Sequence, residues 1–127
     1  MPTFISSTSQ DERRPRRSSG VTVDNFTFAT VTATDPATGR RAADAATVTD
    51  EVRRCFASLD DVLRQAGLSR GDLVKTTCWL SDDAYRAEFI DAYRAECAPG
   101  VHPQRVTMRA GLPGGCRVAI EAVAARS

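Results

Sequence analysis

The fold is decided by two adjoining stretches, Ala57-Ser58-Leu59-Asp60-Asp61-Val62-Leu63-Arg64-Gln65-Ala66-Gly67-Leu68 and Gly71-Asp72-Leu73-Val74-Lys75-Thr76-Thr77-Cys78-Trp79-Leu80-Ser81-Asp82. In the first, Leu59, Val62, Leu63 and Ala66 recur at three- and four-residue spacing, the signature of one helical face. Gly67 stands where a left-handed residue closes a helix. The second begins after the breaker Ser69-Arg70-Gly71-Asp72, and its run of Leu, Val, Thr, Cys and Trp reads as a strand over Leu73–Leu80. A helix with one apolar stripe running directly into a strand must lie on the face of a sheet.

Reading outward extends the pattern in both directions. Upstream, Val48, Val52, Cys55 and Phe56 continue the stripe, giving an amphipathic helix of about 20 residues. Before it, Val21–Val23 and Phe26–Thr32 flank Asp24-Asn25 as a β-hairpin, and Asp35-Pro36-Ala37-Thr38-Gly39 is a second turn. Downstream, Ser81 can cap a second helix with the stripe Tyr85, Phe89, Ala92, Tyr93, Glu96 and Cys97, ended by Pro99-Gly100. Two strands follow, near Gln104–Ala110 and Cys116–Ala124. The order β-β-α-β-α-β-β is an α+β fold, one sheet with both helices on one face. On the last strand Val118, Ile120, Ala122 and Ala124 form a row suited to the helices. The opposite row is Arg117, Ala119, Glu121 and Val123, while Arg105, Thr107 and Arg109 alternate with Val106 and Met108. This second face is too polar for a dry core and too apolar for water, and it predicts burial against copies of the same chain.

Composition narrows the function. The 127 residues suit a single domain, here 20–127, preceded by an arm at 1–19. The arm carries Asp11-Glu12-Arg13-Arg14-Pro15-Arg16-Arg17 and lacks apolar periodicity, which favours a solvated or partly ordered segment over a phosphate contact. A net charge of +1 and 6% aromatic residues disfavour nucleic acid as a partner. The absence of a signal-like segment, or of any apolar run near the ~18–20 residues that cross a bilayer, predicts a cytoplasmic protein without a membrane partner. Sixteen arginines against one lysine (Lys75) have the look of coding bias, so arginine identity alone marks no site. Cys55, Cys78, Cys97 and Cys116 are 23, 19 and 19 residues apart with no close pair, which argues for core thiols rather than metal ligands, disulfides or a nucleophile. The one histidine, His102, precedes Pro103 on extended or turn backbone and reads as a surface residue.

Taken together these words resemble the reactive-intermediate deaminase family, also called Rid or YjgF-like. The carriers are the AGL corner at Ala66-Gly67-Leu68, the strand Gly71–Asp82, the turn Asp35–Gly39, Pro103-Gln104-Arg105, Leu112-Pro113 and Val118–Ala124, spanning residues 18–126. The resemblance implies a chorismate-mutase-like α+β fold and a homotrimer with inward-facing sheets and a ligand cleft at each subunit interface. It also implies cofactor- and metal-free hydrolysis of enamines and imines to carbonyl compounds and ammonia. The arginine of its Pro-x-Arg word, Arg105 here, is implied to hold the substrate carboxylate, a role that suits a planar fork of donors.

Several positions depart from the family pattern. Ala119 stands where the family has a glutamate, with Glu121 the surviving acid; Arg17 replaces a tyrosine, Ile90 an asparagine and Thr107 a small residue that is often cysteine. The Ser-Gly-Gln word reads Thr30-Val31-Thr32. These changes point to a non-standard, larger carboxylated imine, with Arg105 and Glu121 as the catalytic pair and Thr107, Thr30 and Arg17 as further substrate-binding residues. The alternative is a non-catalytic trimer that binds a small anion or a partner enzyme. If the last two strands form a hairpin closed by residues 111–115, Arg105 faces Glu121 and Thr107 faces Ala119; a one-residue slip would break that register.

Overall fold

A computed structural model describes residues 1–5 and 18–127. Six strands make one sheet: β1 (Thr3–Ile5), β2 (Gly20–Val23), β3 (Phe26–Thr32), β6 (Leu73–Leu80), β7 (Gln104–Arg109) and β8 (Val118–Ala125). A separate ribbon of β4 (Thr34–Asp35) and β5 (Arg40–Arg41) closes the Asp35–Gly39 turn. The helices are α1 (Val48–Gln65) and α2 (Arg86–Glu96). No helix among the described residues is long and apolar enough to cross a membrane.

Local chemistry sets the bounds of α1. The Thr47 hydroxyl accepts the Asp50 N–H at 3.0 Å, and the Asp50 carboxylate accepts the Thr47 N–H at 3.1 Å, a reciprocal cap. At the other end Gly67, at φ 74°, donates to the Arg64 carbonyl while Leu68 donates to that of Leu63. That pattern needs a left-handed residue, which glycine adopts without a Cβ clash. The second helix starts later than its sequence suggests. Asp82, not Ser81, caps a 3-10 turn over Asp83–Tyr85, and α2 begins only at Arg86.

Both helices cover one face of the sheet. Val52, Cys55, Phe56, Leu59 and Leu63 of α1 and Phe89 and Tyr93 of α2 bury against Val31, Cys78, Leu80, Ile120 and Ala122. The strand order is β1-β2-β3-β8-β6-β7, with β7 parallel to β6 and the other neighbours antiparallel. The hairpin expected of β7 and β8 does not form. Instead β6, α2 and β7 make a crossover unit, which delivers β7 parallel to β6 at the sheet edge. Strand β8 lies two positions inward, between β3 and β6, because its apolar row is fully buried and requires covered neighbours on both sides. Nothing in the periodicity announces β1, a three-residue strand that adds to β2 at the far edge.

The uncovered face follows from these registers. It carries Phe4, Val21, Phe26, Phe28, Val123, Trp79, Val106 and Met108, and across its middle run Thr30, Glu121 and Thr77 in adjacent register. Phe28, Val106 and Met108 are each about two-fifths exposed.

Candidate functional site

Edge position and register decide what Arg105 meets. It pairs with Thr76 of β6, which pairs in turn with Ala122 of β8; both are buried beneath the helices, so Arg105 projects on the helix side. Its guanidinium lies over the Tyr93 ring, 5.2 Å from the centroid, and donates to the Thr107 hydroxyl at 3.2 Å. Tyr93 is fixed in turn by a 2.7 Å hydrogen bond between its hydroxyl and that of Thr76, and by ring contacts with Phe56 and Phe89 at 5.7 Å. The cation therefore rests on a rigid aromatic platform.

Ion pairing separates Arg105 from the other half-buried arginines. Five of the described arginines are half-buried: Arg54, Arg70, Arg86, Arg105 and Arg117. Arg54 holds Asp44, Arg70 holds Asp60 and Glu96, Arg86 holds Asp83, and Arg117 holds Glu51. Arg105 alone has no carboxylate partner among the described residues. A half-buried guanidinium with free donors is a ready carboxylate receptor. It borders a cleft of about 380 Å³ between the C-terminal end of α2, the 98–103 loop and the start of β7. Tyr93, Cys97, Val101, His102 and Pro103 line the cleft beside it.

The structure brings together only part of the site expected from sequence. Thr107 lies beside Arg105, two residues along the same strand row. Glu121 does not: it pairs with Thr30 and Thr77 on the uncovered face. It is two strands from Arg105, about 10 Å in strand spacing, and its side chain leaves the opposite side of the sheet. The expected Arg105–Glu121 and Thr107–Ala119 cross-strand pairs are thus overturned, because β6 separates β7 from β8. Thr30 and Glu121 are direct neighbours and form a second polar cluster. Arg17 lies outside the described residues. Tyr93 is the participant that sequence reasoning passed over: its spacing marks it only as part of the α2 stripe, and no local signal reveals what lies above its ring.

Burial works against thiolate formation at three of the thiols. Burial pushes the Cys78 thiol up to about 11 and raises those of Cys55 and Cys97. Burial likewise pushes the Tyr93 hydroxyl up to about 12, against the hydrogen bond from Thr76. The walls near Arg105 are accordingly neutral at physiological pH. His102 is exposed, on the rim of the cleft.

Residues 13–126 match the family model described as Endoribonuclease L-PSP. No curated protein is a match to the chain. Among solved structures, a Yersinia pestis protein of the conserved Rid family, YyfA, superposes with a TM-score of 0.86 at 23% identity, over 99% of this chain and 100% of that one. A protein of Entamoeba histolytica carrying the endoribonuclease L-PSP designation gives 0.84 at 26% identity, over 99% and 100%. A Neisseria meningitidis member of the YjgF family gives 0.80 at 21% identity, over 100% and 96%. The two relatives below 25% identity speak for the fold alone.

Proposed function

The chain belongs to the endoribonuclease L-PSP family, the YjgF or Rid proteins, and on that premise we propose that it hydrolyses the C=N bond of a small carboxylated imine or enamine, with Arg105 as the anchor. The observation that carries this reading is the half-buried guanidinium of Arg105 at the mouth of a cleft, without a carboxylate partner among the described residues. Thr107 helps to orient it, and Arg17 supplies a second cation for the same ligand.

The acid comes from a second subunit. The uncovered sheet face, with Phe26, Phe28, Val106 and Met108, is buried in a homotrimer, and that packing carries one subunit's Glu121 and Thr30 to another's Arg105 and Thr107. Water adds to the imine carbon as Glu121 takes its proton. Glu121 passes that proton to nitrogen to give the neutral carbinolamine. It then takes the hydroxyl proton and delivers it to nitrogen as the C–N bond breaks, so that a carbonyl compound and ammonia leave. Holding the carboxylate fixed while water attacks removes orientational freedom from the barrier. Ala119, where the family has a glutamate, favours one other reading: a trimer that binds a small carboxylate without turnover.

The two readings separate in one assay. 2-Iminopropanoate or 2-iminobutanoate is generated by an amino-acid-oxidising or dehydrating enzyme and its disappearance followed. The wild-type protein is expected to accelerate the loss, and Arg105→Ala is expected to abolish that effect. A wild-type rate equal to buffer, with carboxylate binding retained, would establish the non-catalytic reading.

A further inference from the structure

The surroundings of Arg105 also bear on the remainder of the ligand. One wall is the Tyr93 ring, whose hydroxyl is hydrogen-bonded to that of Thr76. Next to it is the Cys97 thiol, held neutral because burial raises its pKa. The facing wall is the loop carrying Val101 and Pro103. None of these side chains carries a charge that would hold a polar substituent. The other charged or titratable lining groups, Arg94 and His102, are exposed. At about 380 Å³ the cleft falls within the range of small-molecule sites and exceeds what a methyl or ethyl substituent would fill.

We infer that this cleft is a side-chain pocket, and that the preferred ligands are 2-imino acids bearing a bulky apolar or aromatic side chain, with the carboxylate on Arg105 and the side chain between Tyr93 and Val101. The inference rests on Arg105 as the carboxylate anchor and deepens that reading by naming the substrate class. Burying an apolar side chain against an aromatic ring supplies binding that a methyl group cannot. The acceptance of larger substrates therefore follows from the cleft rather than from the Ala119 substitution.

Unreactive carboxylates test the pocket without depending on turnover. Propionate, phenylacetate and glutarate are titrated into the full-length protein by calorimetry, with the wild type, Val101→Phe and Arg105→Ala compared. Phenylacetate is expected to bind about ten-fold tighter than propionate. Val101→Phe, which fills the cleft, should remove that advantage, and Arg105→Ala should weaken both. Equal wild-type affinities for phenylacetate and propionate would overturn the pocket while leaving the Arg105 anchor intact. Glutarate binding tightest would overturn it in favour of a dicarboxylate reaching Arg94. Affinities indifferent to Arg105→Ala would sink the anchor and the pocket together. The wild-type series decides the question even if Val101→Phe folds poorly.

Discussion

An arginine next to a carboxylate is usually a structural tie, and Arg105 differs by sitting over Tyr93 with no carboxylate partner among the described residues. Lysine at this position would keep the charge but lose the planar fork and the ring contact. Arg105→Lys is therefore expected to lower kcat/KM by about a hundred-fold, from the loss of a bidentate charge-assisted contact, and Arg105→Ala by at least as much. Steady-state kinetics on the enzymically generated imine would measure both. The thiols give a second residue-scale prediction. Burial raises the Cys97 pKa, so its reactive thiolate is scarce near pH 7–8 and becomes abundant only above the ordinary thiol range. Alkylation of the native protein should be slow at neutral pH, increase with pH, and spare Cys55 and Cys78, which are fully buried. Mass spectrometry of peptides labelled across a pH series would show this; rapid labelling of Cys97 at pH 7 would contradict it.

At the scale of elements, one buried ion pair ties α1 to the start of β8. Glu51, with no exposed surface, accepts both the backbone N–H and the guanidinium of Arg117. The same guanidinium also donates to the carbonyls of Ala45 and Ala46, which fixes the approach to the α1 cap. Arg117→Met would strand a buried carboxylate, at a cost of about 3–5 kcal/mol. Thermal unfolding should show a Tm lower by roughly 10–20 °C. Glu51→Leu combined with Arg117→Met should recover part of that loss, because both charges are then gone. Little of this tie is visible in the sequence, since the partners are 66 residues apart. What the sequence does reveal at this scale is local. The stop at Gly67 and the strand at Leu73–Leu80 each depend on neighbours within a few residues, and each lies where spacing and residue type put it. The start of α2 is less legible, because a 3-10 turn capped by Asp82 comes first and α2 itself begins at Arg86 with no side-chain cap to mark it.

The whole molecule is organised by its two sheet faces, one sealed by helices and the other carrying Phe26, Phe28, Val106 and Met108 in water's reach. In the proposed trimer that second face is buried. Light scattering should then give a mass about three times the 13.7 kDa of one chain. Phe28→Glu should dissociate the assembly while leaving circular dichroism unchanged, since Phe28 has no part in the helix-side core. A wild-type mass of one chain would refute the trimer. At this scale alternation along single strands makes two faces legible and shows that the second is too apolar for water. It does not say which strand sits beside which. Parity alone is satisfied equally by a β7–β8 hairpin and by the observed order, because both keep each strand's alternation intact. What separates them is non-local. The crossover through α2 sends β7 to the edge, and the doubly covered β8 needs the centre. Sequence by itself thus determined both helices, the long strands and the family, all of which rest on short-range spacing and residue chemistry, and it singled out Arg105 as the proposed anchor. Only the tertiary structure placed Glu121 on the opposite face from Arg105 and Tyr93 beneath its guanidinium, because strand order and helix docking are set by burial summed over the whole sheet.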